Sequence, residues 1–347
     1  MISLKNVIRE TRYLLKWGGI LLGILLAVFI LIQLTTFVKA RLFPTPPPSP
    51  DVGFGKLPTP LLFKNTKNSR LTYSIDTLTG ALPSFPDRIK VYKTIPAKPA
   101  LLAFEKAQRK VSDLGFRTQG IPLSSDTYKW QSQDDTNQQL TVNIFSSDFI
   151  LSSLFISDFK TQSPLSPQDQ KNAVETATSF VESLTALPDD LDPSKTKTSL
   201  FTVEKHNLLS VSNISQAKII RVDFFQKDVD NLSIYYDAQT SPMSLLLGKD
   251  QNQLQVIEGN FAHQSISNNG STYPILTANQ ALKQFELGNT YIVSNPQNLT
   301  SVSIKKVTLA YYLGGEKLDY LLPIVIFEDD KGFRAYVLTI KDEWVNK

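Results

Sequence analysis

Three pairs of neighbouring aspartates are candidates for acid–base catalysis or calcium binding. They are Asp134-Asp135, Asp189-Asp190 and Asp329-Asp330. Two carboxylates that converge in a fold can share a proton as an acid–base dyad, or they can bind calcium. Each pair, however, lies among Asn, Gln, Pro or Gly residues, where aspartate is favoured because its side chain hydrogen-bonds the local backbone. The pattern therefore favours turns over an active site.

Other catalytic and cofactor chemistry has few residues available. The chain contains no cysteine and two histidines, His206 and His263, which lie far apart in sequence. Without thiols there is no disulfide, zinc ribbon, iron–sulfur cluster or cysteine nucleophile. The sequence also lacks the GxSxG, HExxH, P-loop and GxGxxG motifs. We therefore predict no catalytic residue, no metal site, no cofactor and no enzyme activity.

Two pairs of adjacent tyrosines are the candidate binding residues. Tyr235-Tyr236 and Tyr311-Tyr312 each lie in a stretch that predicts a β-strand, in which neighbouring side chains point to opposite faces. One ring of each pair should face a covering helix, and the other should face away. The second ring could pack between units or against a cross-strand partner. Alternatively, these tyrosines and Arg334 could form a surface for a partner or ligand.

Three short amphipathic helices, each followed by strands, must position these residues. The first helix is predicted over about residues 100–114, the second begins after the capping Ser166, and the third begins after Thr277. The stretches after each helix alternate in the manner of antiparallel strands. Residues 71–75 and 89–91 also alternate and predict a strand pair on the first unit. The sequence thus predicts an α+β fold of repeated units, each a helix on an antiparallel sheet.

Residues 17–38 form an apolar run of 22 uncharged residues, which is long enough to cross a bilayer as a helix. Four basic residues precede this run and two follow it, so residues 1–16 are predicted to be cytoplasmic and the bulk extracytoplasmic. A cleaved signal peptide is the alternative, although the run exceeds the roughly 7 to 15 apolar residues of such peptides. Gly19 and Gly23 could pair two such helices in a homodimer.

The domain boundaries follow from composition. Seven of the 17 residues from Pro44 to Pro60 are proline, which predicts an extended extracytoplasmic spacer over residues 39–60. The predicted α+β units then cover residues 61–160, residues 161–270 and residues 271–347.

Charge argues against a nucleic-acid partner. Residues 1–41 hold six of the 36 Lys and Arg residues and one of the 32 Asp and Glu residues. The remaining chain therefore carries 30 basic and 31 acidic side chains, a net charge of −1. Nucleic-acid binding requires a concentrated basic surface, and no cluster of Lys and Arg is evident after residue 41.

Several segments of the second and third units resemble a known family. They are RVDFFQKDVDNLSIYY at 221–236, LTANQAL at 276–282, VTLAYYL at 307–313, YLLPIVIF at 320–327 and FRAYV at 333–337. Over about residues 167–340 the chain is similar to membrane-anchored regulators of the YycH/YycI type and to PepSY-type domains. The resemblance implies one membrane helix, an extracytoplasmic α+β part without enzyme activity, and restraint of a sensor kinase of the cell envelope. The long proline-rich spacer and the first unit depart from that family.

We therefore interpret the chain as a single-pass membrane protein with PepSY-like extracytoplasmic domains that bind and regulate a cell-envelope protein partner. One alternative is an envelope hydrolase whose acidic residues meet only in the fold. Another is a structural subunit of a surface or secretion assembly.

Overall fold

The computed structural model describes residues 16–18, 20–35, 49–64, 71–133, 137–154, 163–250, 252–296, 298–315 and 317–346. The chain divides into two compact units, Met1–Ser49 and Pro50–Lys347.

Helix α1, Lys16–Thr35, belongs to the first unit and carries most of the predicted span. Its length and its apolar composition, with a mean hydropathy of 2.5, would allow it to cross a membrane. A signal sequence near the N-terminus would show the same length and composition. Residues 36–38 of the predicted span lie outside the described residues.

The described residues of the second unit form short helices and many strands. Its helices are α2 (Leu61–Lys64), α3 (Ala103–Asp113), α4 (Pro167–Leu184) and α5 (Ala278–Glu286). Its strands are β1 (Leu57–Pro58), β2 (Thr72–Ile75), β3 (Arg88–Ile95), β4 (Ile121–Pro122), β5 (Thr127–Gln131), β6 (Gln139–Asn143), β7 (Phe149–Ser152), β8 (Lys197–Glu204), β9 (Asn207–Val211), β10 (Ile219–Asp223), β11 (Ile234–Tyr235), β12 (Met243–Asp250), β13 (Gln253–Phe261), β14 (Ser265–Pro274), β15 (Tyr291–Ser294), β16 (Ser301–Ile304), β17 (Lys306–Tyr312), β18 (Tyr320–Glu328), β19 (Arg334–Leu338) and β20 (Val345–Asn346).

The helices α4 and α5 begin where the sequence predicts. The Ser166 hydroxyl oxygen accepts from the backbone N–H of Asp169, and the Asp169 carboxylate accepts from the backbone N–H of Ser166, which completes a capping box. Thr277 and Gln280 form the same box at α5. Each box satisfies backbone N–H groups that the first helical turn leaves without partners.

Two sheets make up most of this unit, and they confirm the mixed α+β class. The larger sheet is antiparallel, with the strand order β4-β5-β6-β7-β13-β12-β10-β8-β9. Helix α4 packs on it through fully buried Ala173, Ala177 and Val181. The smaller sheet has the order β11-β17-β18-β19-β15, and β3 joins β18 to β14. Helix α5 covers one face of this smaller sheet through Ala281 and Phe285.

The predicted division into three separate units is wrong, because the sheets cross its boundaries. Strand β7 of the first predicted unit pairs with β13 of the second, and β3 pairs with β14 and β18. The predicted pair at residues 71–75 and 89–91 does not form either, since β2 pairs in parallel with β16. Every apolar cluster of the described core consists of residues from this single unit, so residues 50–347 have a core of their own.

The predicted spacer over residues 39–60 is also corrected, because its second half is folded. Asp51 Oδ1 accepts hydrogen bonds from the Thr272 backbone at 2.6 Å and from the Ser271 hydroxyl at 2.7 Å. Leu57 is only 1% exposed, and its strand β1 pairs in parallel with β20. The proline-rich composition predicts a spacer, but residues 50–64 fold against the C-terminal part of the unit. We call residues 50–64 the anchoring segment. Residues 39–48 lie outside the described residues.

Candidate functional site

The two tyrosine pairs lie side by side in the smaller sheet. Strand β11 pairs in parallel with β17, so that Ile234 lies opposite Tyr311 and Tyr235 lies opposite Tyr312. Tyr236 and Tyr311 belong to one apolar cluster, whereas Tyr235 and Tyr312 belong to another. The prediction that the rings of each pair face opposite sides of the sheet is therefore confirmed.

Tyr311 lies in the interior. Its side chain is 0% exposed, its hydroxyl donates to the carbonyl oxygen of Lys90 at 2.7 Å, and its ring meets that of Tyr92 edge-on. Burial raises the pKa of the Tyr311 hydroxyl well above its usual value, which keeps this group protonated and donating.

Tyr312 is buried on the opposite face. The ring of Phe63, from the anchoring segment, packs edge-on against the Tyr312 ring with 5.2 Å between centroids. The Tyr312 hydroxyl donates to Oδ1 of Asp237, and the Gly315 backbone donates to Oδ2 at 2.7 Å. Burial and the bond to Asp237 raise the pKa of Tyr312. Packing by residues 50–64 thus covers the second ring of this pair.

Burial corrects the prediction of an exposed aromatic surface for three of the four tyrosines. Tyr311 and Tyr312 are interior, and Tyr236 is 4% exposed, with its hydroxyl donating to Oε1 of Gln226 at 3.4 Å. Only Tyr235 remains half-buried, because its strand lies at the edge of the sheet. Arg334, the fifth candidate, is half-buried beside it.

Tyr235, Tyr236 and Arg334 line one cavity of about 360 Å³, which we call the Tyr235 pocket. Strand β11 and the residues after it form one wall, and the start of β8 with the loop after β10 forms the other. Its basic and aromatic lining side chains are those of Lys195, Lys197, Phe225, Tyr235, Tyr236 and Arg334. The pocket therefore combines aromatic rings with three basic side chains.

The three basic side chains of this pocket differ in whether a carboxylate is paired with them. Arg334 donates from Nε and Nη2 to Oε1 of Glu328, both at 2.7 Å, and its guanidinium lies 5.2 Å from the centre of the Tyr235 ring. Lys195 pairs with Asp228. Lys197 lies 5.3 Å from the centre of the Phe225 ring. It makes no ion pair of its own with any residue in the described part of the chain.

The nearest carboxylate in the sheet is that of Asp223, which lies opposite Lys197 in the β8–β10 pair. Asp223 makes its ion pair with Arg221, with 2.8 Å between Nε and Oδ2, and the charge of Lys197 acts on it as a weaker influence. The Tyr235 hydroxyl makes no hydrogen bond within the described residues, and burial raises its pKa, so that it stays a donor at neutral pH. The pocket thus offers an unpaired cation, a free hydroxyl donor and aromatic walls, which suit a group that is anionic at one end and apolar at the other.

A histidine–aspartate pair that the sequence does not predict lies near Tyr236. His263 Nε2 lies 2.7 Å from Oδ1 of Asp190, and Gln226 donates to Oδ2 at 2.8 Å. Burial alone would raise the pKa of the Asp190 carboxyl, but the hydrogen bonds from His263 and Gln226 and the charge of His263 outweigh it and lower that pKa. The partners are 73 residues apart in the chain, so no local signal could reveal the pair.

The remaining acidic candidates show turn chemistry where they are described. Asp329 Oδ1 accepts from the backbone N–H groups of Lys331 and Phe333, which confirms a turn. Asp134 and Asp135 lie outside the described residues. His206 is exposed in the turn between β8 and β9. Within the described ranges, no three His, Cys, Asp or Glu side chains are grouped closely enough to hold a metal ion.

Comparison with known proteins leaves the family open. No family model and no curated protein matches the chain. One solved structure, that of an uncharacterized protein from Eubacterium rectale ATCC 33656, aligns over 81% of this chain and 91% of its own, with 11% identity and a TM-score of 0.35. Because that protein is uncharacterized, the likeness brings no function with it.

Proposed function

We propose that this chain is a membrane-anchored binding protein whose residues 50–347 lie outside the cytoplasm and modulate a cell-envelope protein partner. The length and composition of α1 support the anchor. The four basic residues that precede the apolar run at residues 17–38, against two that follow it, support a cytoplasmic N-terminus. The resemblance of residues 167–340 to YycH/YycI-type regulators supports a regulatory role without enzyme activity.

The Tyr235 pocket carries the proposal of binding. Tyr235 is the one member of the two tyrosine pairs that is not buried. The guanidinium of Arg334, which is paired with Glu328, lies against its ring, and Lys197 lines the same pocket without an ion pair in the described residues. Tyrosine and arginine are the side chains most often responsible for binding energy at protein interfaces. We propose that an acidic segment of the partner enters this pocket, its carboxylate meeting Lys197 and its apolar part meeting the rings.

A hydrolase is the weaker proposal. Two of the aspartates considered for a hydrolase are engaged in other contacts: Asp329 closes a turn, and Asp190 pairs with His263 and Gln226. A proposed homodimer through Gly19 and Gly23 concerns only the membrane helix, and Gly19 lies outside the described residues.

Site-specific photocrosslinking in intact cells tests the pocket. A crosslinking residue at position 197 of the full chain should capture one membrane or envelope protein. The same residue at position 205, an exposed lysine in the turn after β8, should not capture it. Tyr235→Ala should weaken the capture by about thirtyfold, since truncating an interface aromatic commonly costs about 2 kcal/mol.

Two outcomes would contradict the proposal. Equal capture from positions 197 and 205 would show that the pocket has no special role. Turnover of a cell-wall substrate by the purified protein, abolished by Asp190→Asn, would favour the hydrolase.

For the orientation, protease added to spheroplasts should remove a C-terminal tag and leave an N-terminal tag intact.

A further inference from the structure

Two adjacent leucines project from the segment that precedes α3. Leu101 is 89% exposed and Leu102 is 62% exposed. They follow a segment with prolines at positions 96 and 99, and Leu102 has a positive φ of 56°. Proline restricts the conformations of this segment, which limits the ways in which the leucines could fold back onto the protein. Two neighbouring leucines held in water are an apolar surface without a partner in the described structure.

A groove with an apolar floor lies directly beside them. Its volume is about 510 Å³, and it runs between α3, β6 and the end of α4. The apolar lining includes Ala103, Ala107, Val111, Val142 and Leu184. Ala100, which immediately precedes the two leucines, lines the same groove. Ala103, which follows them, lines it too, so the groove adjoins the leucines along the chain, although the leucine side chains do not themselves line it. We call the two leucines and the groove together the α3 surface.

Basic side chains edge the α3 surface. Lys106, Arg109 and Lys110 line the groove, are exposed, and make no ion pair with any described residue. Lys110 Nζ donates to the carbonyl oxygen of Leu184 at 2.9 Å, which holds it at the edge of the groove. With Lys98, four basic residues stand against Glu105 and Asp113 between positions 98 and 113. The surplus is local, since residues 42–347 together carry a net charge of −1.

We propose that the α3 surface docks onto an anionic lipid surface, with Leu101 and Leu102 entering the interface and Lys106, Arg109 and Lys110 meeting phosphate groups. Apolar side chains flanked by Lys and Arg are the combination by which peripheral proteins bind such membranes. The charge complementarity argues for lipid phosphates over a second copy of this chain, whose α3 surface carries the same positive charge. The inference draws on the proposed anchor, which would keep this unit near a membrane, but it is independent of the Tyr235 pocket.

Vesicle binding by purified residues 50–347, which have a core of their own, tests the proposal without the anchor. The fragment should cosediment with vesicles of phosphatidylcholine and phosphatidylglycerol in equal amounts, and much less with phosphatidylcholine alone. Added salt should weaken the binding. The double change Leu101→Ser and Leu102→Ser should reduce the partition coefficient by about tenfold or more. Lys106→Glu with Arg109→Glu should reduce it similarly.

Leu78→Ser is the matched control, because Leu78 is a fully exposed leucine in a turn and is not among the residues that line the groove. It should leave vesicle binding unchanged, and all variants should retain the thermal unfolding midpoint of the parent. Binding of the double leucine variant at parental strength would overturn the proposal, as would absence of parental binding to the anionic vesicles. A change of oligomeric state caused by the leucine variant would assign the surface to self-association instead.

Discussion

The two tyrosine pairs are the same dipeptide in neighbouring strands, yet the structure uses them differently. In β17 both rings are buried, one against Tyr92 and the other beneath Phe63. At β11 the ring of Tyr236, the residue that directly follows the strand, is buried, whereas the ring of Tyr235 lines a cavity. The difference arises because β17 lies between β11 and β18, whereas β11 lies at the edge of the sheet. Position within the sheet therefore decides whether a tyrosine ring is interior or lines a cavity at the edge.

The strongest test of this contrast is truncation of the interior ring. Tyr311→Ala should lower the free energy of unfolding by about 3–5 kcal/mol, as for other buried aromatic side chains. Tyr235→Ala should lower it by only about 1 kcal/mol, because this ring is half-exposed. Urea unfolding of residues 50–347 measures both values. Similar losses for the two variants would show that Tyr235 is a core residue and would remove the basis for the pocket.

Removal of the hydroxyl groups sharpens the comparison. Tyr312→Phe should cost about 1.5–3 kcal/mol of stability, because the hydroxyl donates to the Asp237 carboxylate. Tyr235→Phe should stay within about 0.5 kcal/mol, since the Tyr235 hydroxyl makes no hydrogen bond within the described residues. The same unfolding measurement applies. If Tyr235→Phe lowered the free energy of unfolding more than Tyr312→Phe, the Tyr235 hydroxyl would be the one that stabilises the fold.

The packing of the anchoring segment on the Tyr312 ring can be tested by substitutions within that segment. Phe63→Ala should destabilise residues 50–347 by about 1–2 kcal/mol, less than a fully buried ring because Phe63 is half-buried. Leu61→Ala is the control, since Leu61 is 53% exposed. Under the spacer interpretation of residues 39–60 and the adjoining α2, neither variant would change stability.

The smallest expected effect concerns the pair behind Tyr236. Because the pKa of Asp190 is lowered in the folded protein, its contribution to stability is fully present above the unfolded pKa of about 3.9 and is lost as the pH falls through the folded value. Asp190→Asn should therefore flatten the dependence of unfolding free energy on pH below about pH 5. Asp189→Asn, which leaves the bond to His263 intact, should retain the parental dependence. An unchanged pH profile in Asp190→Asn would show that the pair does not contribute to stability.

Local features of the fold could be predicted from the sequence, whereas the distant segments with which they pair could not. The capping boxes at Ser166 and Thr277 were readable because the residues involved are three positions apart. The pairing of β2 with β16 joins Thr72 to Ser301, and nothing in either segment specifies the other. The sequence predicts a spacer in place of the anchoring segment for the same reason. Its prolines are visible in the sequence, but the contact of Asp51 with Ser271 and Thr272 is not.

The candidate site follows the same division. Tyr235, Tyr236 and Arg334 could be named from residue type and strand alternation, and they do line one pocket. Lys195, Lys197 and Phe225 could not be named, because they come from a different sheet and the loop beside it. Likewise, no feature near His263 indicates that it pairs with Asp190.

Local residue patterns suffice to predict the apolar helix α1, the starts of α4 and α5, the alternation of the strands and the opposite faces of the tyrosine pairs. Each of these depends on residues within a few positions of one another, through helical hydrogen bonds or the two-residue period of a strand. Three further features depend on long-range packing: which strands are neighbours, which tyrosine lies at an edge, and where residues 50–64 are bound. A strand's alternation shows which face is apolar but does not identify its hydrogen-bonding partner, because that partner is chosen by packing among segments far apart in the chain.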